Sequence, residues 1–91
     1  MDKQLCMRCY ISGTVQGVWY RASAKEQADE LNLTGWARNL PDGRVEVVAC
    51  GSEKQLEVFY AWLQHGPKRA KVDDCTHELF SWEHYSDFNV L

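Results

Sequence analysis

The chain reads as an α+β sandwich on three observations. Apolar periodicity along the 91 residues switches between the two-residue repeat of strands and the 3.6-residue repeat of helices, in the order strand, helix, strand, strand, helix, strand. A Pro-Asp-Gly turn separates the middle two strands, and a capping box opens the second helix. With right-handed crossovers this βαββαβ order gives a four-stranded antiparallel sheet, with room for a short fifth strand and both helices on one face. That ferredoxin-like arrangement hosts many unrelated functions, so function has to be read from sites.

The first strand, about Leu5 to Gly13, alternates Met7, Cys9 and Ile11 on one side with Cys6, Arg8 and Tyr10 on the other, so one face is core. Ala24, Ala28 and Leu31 recur at helical spacing and predict a helix from about Ala22 to Leu31, with Asn32 as its left-handed C′ residue. Gly35 to Leu40, the turn Pro41-Asp42-Gly43, and Arg44 to Cys50 make a β-hairpin. Ser52-Glu53-Lys54-Gln55 is the capping box. Leu56, Phe59 and Leu63 follow it on one helical face until His65-Gly66-Pro67 supplies stop signals. From about Lys71 the residues Val72, Leu79, Phe80, Phe88 and Val90 suit one long or broken final strand, bent near His84 to Asp87.

Ninety-one residues, 45% hydrophobic and 12% aromatic, supply one core and one domain spanning residues 1–91. A formal charge of -3 offers no global attraction to nucleic acid or anionic membrane. No run approaches the ~18 apolar residues of a membrane span, and Arg8 interrupts any signal-like start. The expectation is a cytoplasmic protein that binds no membrane and no nucleic acid. Four cysteines are too few for a disulfide-dense scaffold, and in a reducing cytosol each is by default a free thiol.

Gly13-Thr14-Val15-Gln16-Gly17-Val18-Trp19-Tyr20-Arg21 lies between a strand and a helix N-terminus, where free backbone N–H groups and the helix dipole favour an anion. Gly17 permits close approach of the backbone, and Arg21 adds a planar guanidinium fork matched to phosphate oxygens. On these features alone an ordinary strand-to-helix connection stays open as the alternative. The segment resembles the acylphosphatase pattern Gly-x-Val-Gln-Gly-Val-x-[aromatic]-Arg. A second segment, Gly35-Trp36-Ala37-Arg38-Asn39-Leu40-Pro41-Asp42-Gly43-Arg44-Val45, is similar to that family's Gly-[aromatic]-x-[basic]-Asn-x-x-x-Gly-x-Val. The resemblance covers nearly the whole chain. Tyr20 stands where the family usually has phenylalanine, and Thr14 where it often has a basic residue. A tyrosine there must find a partner for its hydroxyl or incur about 1–3 kcal/mol of desolvation.

The resemblance implies a stand-alone, monomeric acylphosphatase of bacterial type that needs no cofactor and no metal. Gln16, Gly17, Val18, Trp19, Tyr20 and Arg21 then form the phosphate-binding loop, and Arg21 and Asn39 are the catalytic pair. An acyl phosphate suits so spare a site because its leaving group is a carboxylate, which departs without protonation. The acyl group itself is expected to be mostly unread, giving broad specificity.

Cys6 and Cys9 have C-x-x-C spacing but face opposite sides of a strand, so they cannot chelate together. Cys6 and Cys50 fall on antiparallel neighbours with the same facing, which makes a Cys6–Cys50 disulfide geometrically admissible against the free-thiol default; some members similar to this chain carry such a pair. His65, His77 and His84 are scattered surface residues, and Lys68, Arg69 and Lys71 form a solvated basic loop. Two other functions fit the fold. A ferredoxin-like RNA- or metal-binding module would need aromatics on the central strands, for which Tyr10 is the clear candidate. A non-catalytic acyl- or carbamoyl-phosphate-binding domain would keep the loop without turnover.

Overall fold

Alternation on the first strand decides which side of the sheet is core. Met7, Cys9 and Ile11 of β1 (Gln4–Thr14) are buried in the computed structural model, which describes residues 3–91. The remaining elements are α1 (Tyr20–Glu30), β2 (Thr34–Asn39), β3 (Val45–Ser52), α2 (Glu53–Leu63), β4 (Lys71–Ser81) and β5 (Phe88–Val90). They form one sheet in the order β4-β1-β3-β2-β5. All pairings are antiparallel except β2 with β5, which run parallel. The final segment is therefore two strands. β4 fills one edge, and after residues 82–87 the chain crosses to the opposite edge.

Both helices cover the face carrying Met7, Cys9 and Ile11. Ala24 and Ala28 of α1 and Leu56, Phe59 and Leu63 of α2 join Val45, Val47, Ala49 and Phe88 in one buried cluster. Small alanines on α1 let that helix approach the sheet, while Phe59 sets its ring edge-on to Phe88 at 6.0 Å between centroids. The capping box is formed at its first contact: Ser52 Oγ accepts from the Gln55 N–H at 3.2 Å. Asn32 takes the left-handed conformation at φ 58°, as expected past a helix end. The helix before it starts at Tyr20, two residues earlier than periodicity suggested, because Tyr20 is itself a buried helical residue.

On the helix-free face a second cluster gathers Cys6, Val48 and Cys50, with Trp36, Phe80 and Tyr85 packed against it. Cys6 and Cys50 sit directly opposite in register, and the structure joins them by a disulfide. The Glu83 N–H reaches Cys6 Sγ at 3.1 Å, which pins the connection between β4 and β5 over this face. Glu46, 4% exposed, lies on the same face. Its carboxylate accepts from Arg38 Nε at 2.7 Å and from the Tyr10 hydroxyl at 3.3 Å. Arg8 Nε is 3.3 Å away but is not aligned for a hydrogen bond.

Candidate active site

The strand-to-helix loop is built from residues that alternate between core and solvent. Val15 and Tyr20 are buried, whereas Gly17 and Trp19 are exposed. The Tyr20 hydroxyl donates to the Leu63 carbonyl at 2.6 Å. That carbonyl belongs to the last turn of α2, where acceptors lack intrahelical donors. The hydroxyl that a phenylalanine would not have thus caps the second helix. Burial pushes the Tyr20 phenol well above its ordinary range, so it stays neutral and keeps donating. Gly66, at φ 70°, leaves room for the ring, since a Cβ there would lie 2.6 Å from Tyr20 Cε2.

With Tyr20 fixed, α1 begins at a set point in space. Trp19 is the N-cap residue, left-handed at φ 65° and ψ 21° and without a side-chain capping bond. Its carbonyl accepts the Ser23 N–H at 3.0 Å, the first bond of the helix. Gly17 is also left-handed, at φ 75°. Two left-handed residues around Val18 turn the chain so that successive amides can converge in a concave nest at the positive end of a helix. For a bulky residue such as Trp19 this conformation costs about 1–3 kcal/mol.

Arg21 follows on the first turn. Its Nη1 donates to the Leu91 carbonyl oxygen, and the Leu91 N–H in turn donates to the Ala37 carbonyl at 2.9 Å. The end of the sheet therefore steadies one branch of the guanidinium and leaves donors on the rest of the fork. A cleft of about 370 Å³ opens beside these residues, lined by Val15, Gly17, Trp19, Tyr20, Arg21, Ala22 and Val90.

Asn39 is outside that lining. It stands exposed at the end of β2, two residues from buried Ala37 and so on the helix-covered side of the sheet. What ties it to the loop is Gln16. The Gln16 carboxamide donates both hydrogens across the chain, to the carbonyls of Leu40 and Arg44, each at 2.9 Å. Leu40 follows Asn39 in sequence, and Arg44 precedes Val45, the register partner of Asn39. Gln16, read as a phosphate-loop residue, thus spends its side chain on the hairpin rather than on an anion. The Tyr20 side chain likewise lies in the core. Hydrogen bonds across 24 and 28 residues leave no local signature in a sequence.

The competing sites are brought together differently. His65, His77 and His84 are all exposed, with the His77 ring against Tyr60 at 4.0 Å between centroids. Lys68, Arg69 and Lys71 are exposed as well. Among the described residues no three or more His, Cys, Asp or Glu side chains are grouped to hold a metal, and no helix is long and apolar enough to cross a membrane. The helix-free face carries more aromatics than Tyr10, since Trp36, Phe80 and Tyr85 lie there too. Each arginine on it is stacked on a ring: Arg8 over Phe80, Arg38 over Trp36 and Arg44 over Tyr10, at 5.4, 5.2 and 4.9 Å from the centroid. Arg8 and Arg38 also lie against Glu46, and Arg44 pairs with Asp42.

The acylphosphatase family profile matches residues 7–90, a span holding both the loop and Asn39. The chain belongs to the acylphosphatase family. An acylphosphatase of Legionella pneumophila (strain Corby) is 66% identical over 91 residues, the full length of both chains. The solved structure of an acylphosphatase from Coxiella burnetii superposes with a TM-score of 0.93 at 43% identity, over 97% of this chain and 93% of that one. An acylphosphatase from Bacillus subtilis also gives 0.93, at 35% identity over 96% and 98% of the two chains.

Proposed function

We propose that the amides of Gly17 to Arg21 and the Arg21 guanidinium hold the phosphoryl group of an acyl phosphate while the Asn39 carboxamide orients the water that attacks it. The observation that carries this reading is the Gln16 carboxamide, which fastens the phosphate loop to the turn beside Asn39 and makes one unit of the two motifs. Water oxygen attacks phosphorus in line, and the bond from phosphorus to the bridging oxygen breaks. Its electron pair leaves with the carboxylate. A carboxylate with a conjugate-acid pKa of about 4–5 needs no general acid to depart. Neither a guanidinium nor a carboxamide takes up a proton near neutrality, so the proton from water passes to a phosphoryl oxygen of the substrate. Position and charge carry the rate.

Benzoyl phosphate hydrolysis in the presence of EDTA, compared between wild type and Asn39→Ala, tests the assignment. Turnover in the variant falls by about 10²-fold or more while inorganic phosphate still inhibits with similar affinity. Full turnover by Asn39→Ala sinks the role given to that residue. Arg21→Lys loses activity as well, because an ammonium offers a point charge in place of a fork. The protein works on this small molecule as a cytoplasmic monomer of 10.5 kDa, a mass that light scattering reads directly.

A further inference from the structure

We propose that Trp19 reads the acyl group, so that this site favours acyl phosphates whose acyl part is apolar and flat. The inference rests on the hydrolysis proposed above. Trp19 is 75% exposed, more than any other large apolar side chain of the described residues. Its backbone is held left-handed at the helix N-cap, a conformation that an outward-facing tryptophan does not choose for its own stability. Among the described residues the close aromatic pairs involve Tyr20, Phe59, Tyr60, Trp62, His77 and Phe88, and not Trp19. Among the described residues no aromatic pair or cation–π contact accounts for where this indole is kept.

Its place in the cleft does. Trp19 lines the opening beside Arg21, with Val15, Ala22 and Val90 as the apolar remainder of the wall. A phosphoryl group on the Gly17 to Arg21 amides puts the acyl carbon one bridging oxygen away, so the acyl group can touch only walls that adjoin the loop. Arg21 is the one charged side chain in that lining, and the phosphoryl group occupies it. A charged acyl group therefore gains no partner, whereas a planar apolar one can stack on the indole.

A stacking platform holds substrate and transition state equally, so its effect lies in KM and not in kcat. The experiment measures kcat and KM for benzoyl phosphate and acetyl phosphate with wild type, Trp19→Ala and Trp19→Phe. In Trp19→Ala the ratio of the benzoyl phosphate KM to the acetyl phosphate KM rises about 3–10-fold, and Trp19→Phe recovers most of the difference. The proposal is overturned if both KM values move by the same factor, or if neither moves. Should wild type hydrolyse neither substrate, the hydrolysis reading falls and takes this one with it. Should both be hydrolysed and Asn39→Ala be inactive while the KM ratio ignores residue 19, only the role of Trp19 falls.

Discussion

Replacing Gln16 by methionine keeps the length of the side chain and removes both donors. The Leu40 carbonyl still accepts the Gly43 N–H at 3.1 Å, and the Arg44 carbonyl still accepts the Leu40 N–H at 2.8 Å. Neither oxygen is orphaned, so the cost is the net worth of two hydrogen bonds at about 0.5–1.5 kcal/mol each. The sum, about 1–3 kcal/mol, lowers the melting temperature of a domain this size by roughly 5–15 °C. Turnover suffers more than stability, because the loop is no longer held in register with Asn39, and a shift near 1 Å can cost about 10²-fold. Inorganic phosphate inhibits Gln16→Met nearly as well as wild type, since the loop amides and Arg21 are intact. Gln16→Glu adds a second readout. Its carboxylate faces two carbonyl oxygens and cannot donate, so activity is poor at neutral pH and recovers as acidification protonates it. Wild-type kcat in Gln16→Met refutes the argument, and so does a loss of phosphate affinity in proportion to kcat, which would place the carboxamide on the ligand.

Three further outcomes follow from the packing. Tyr20→Phe removes the 2.6 Å bond to the Leu63 carbonyl and destabilises the fold by about 1–3 kcal/mol, measured by urea unfolding, with kcat little changed. Under denaturing conditions without reductant the protein takes up two equivalents of alkylating label, at Cys9 and Cys75, and four after reduction. Reduction costs about 3–4 kcal/mol for a loop of 44 residues, and four labels before reduction would disprove the Cys6–Cys50 bond. Stability also declines in alkali. Burial holds the Cys9 thiol far above its ordinary range and raises Cys75 to about 11. The stabilisation is complete below the unfolded-state thiol pKa and is lost as pH rises above it, because the unfolded chain ionises first. Between pH 7 and 10 the buried Cys9 alone accounts for about 2 kcal/mol, and unchanged unfolding curves over that range would contradict it.

Most of the fold could be read along the chain because its signals are local. Ser52 and Gln55 announce α2, Pro41-Asp42-Gly43 announces the hairpin, and strict alternation in β1 gave the facing that pairs Cys6 with Cys50. The misplaced start of α1 has a physical origin, since a tyrosine at a helix entrance gives no periodic cue that it points into the core. Three residues of β5 are too few to show a period, and a parallel pairing with β2 depends on a crossover that local pattern cannot encode. At the site, Arg21, Asn39 and the loop were legible as motifs. The left-handed Trp19 was not, because positive φ is ordinarily betrayed by glycine or asparagine. The Glu46 ion-pair cluster on the helix-free face has no local signal either, as its members come from three strands.

The inward and outward alternation of the loop divides the labour of change. Tyr20 anchors its path from beneath through the Leu63 carbonyl, and Gln16 fastens it sideways to the hairpin, so the shape of the proposed phosphate nest is decided by two side chains whose polar atoms are spent on the protein itself. The Thr14 and Trp19 side chains face solvent. On the proposed roles, a change of the Trp19 side chain retunes which acyl phosphates are preferred while the anchors beneath the loop stay in place, a separation that lets one small scaffold drift across substrates while its chemistry stays fixed.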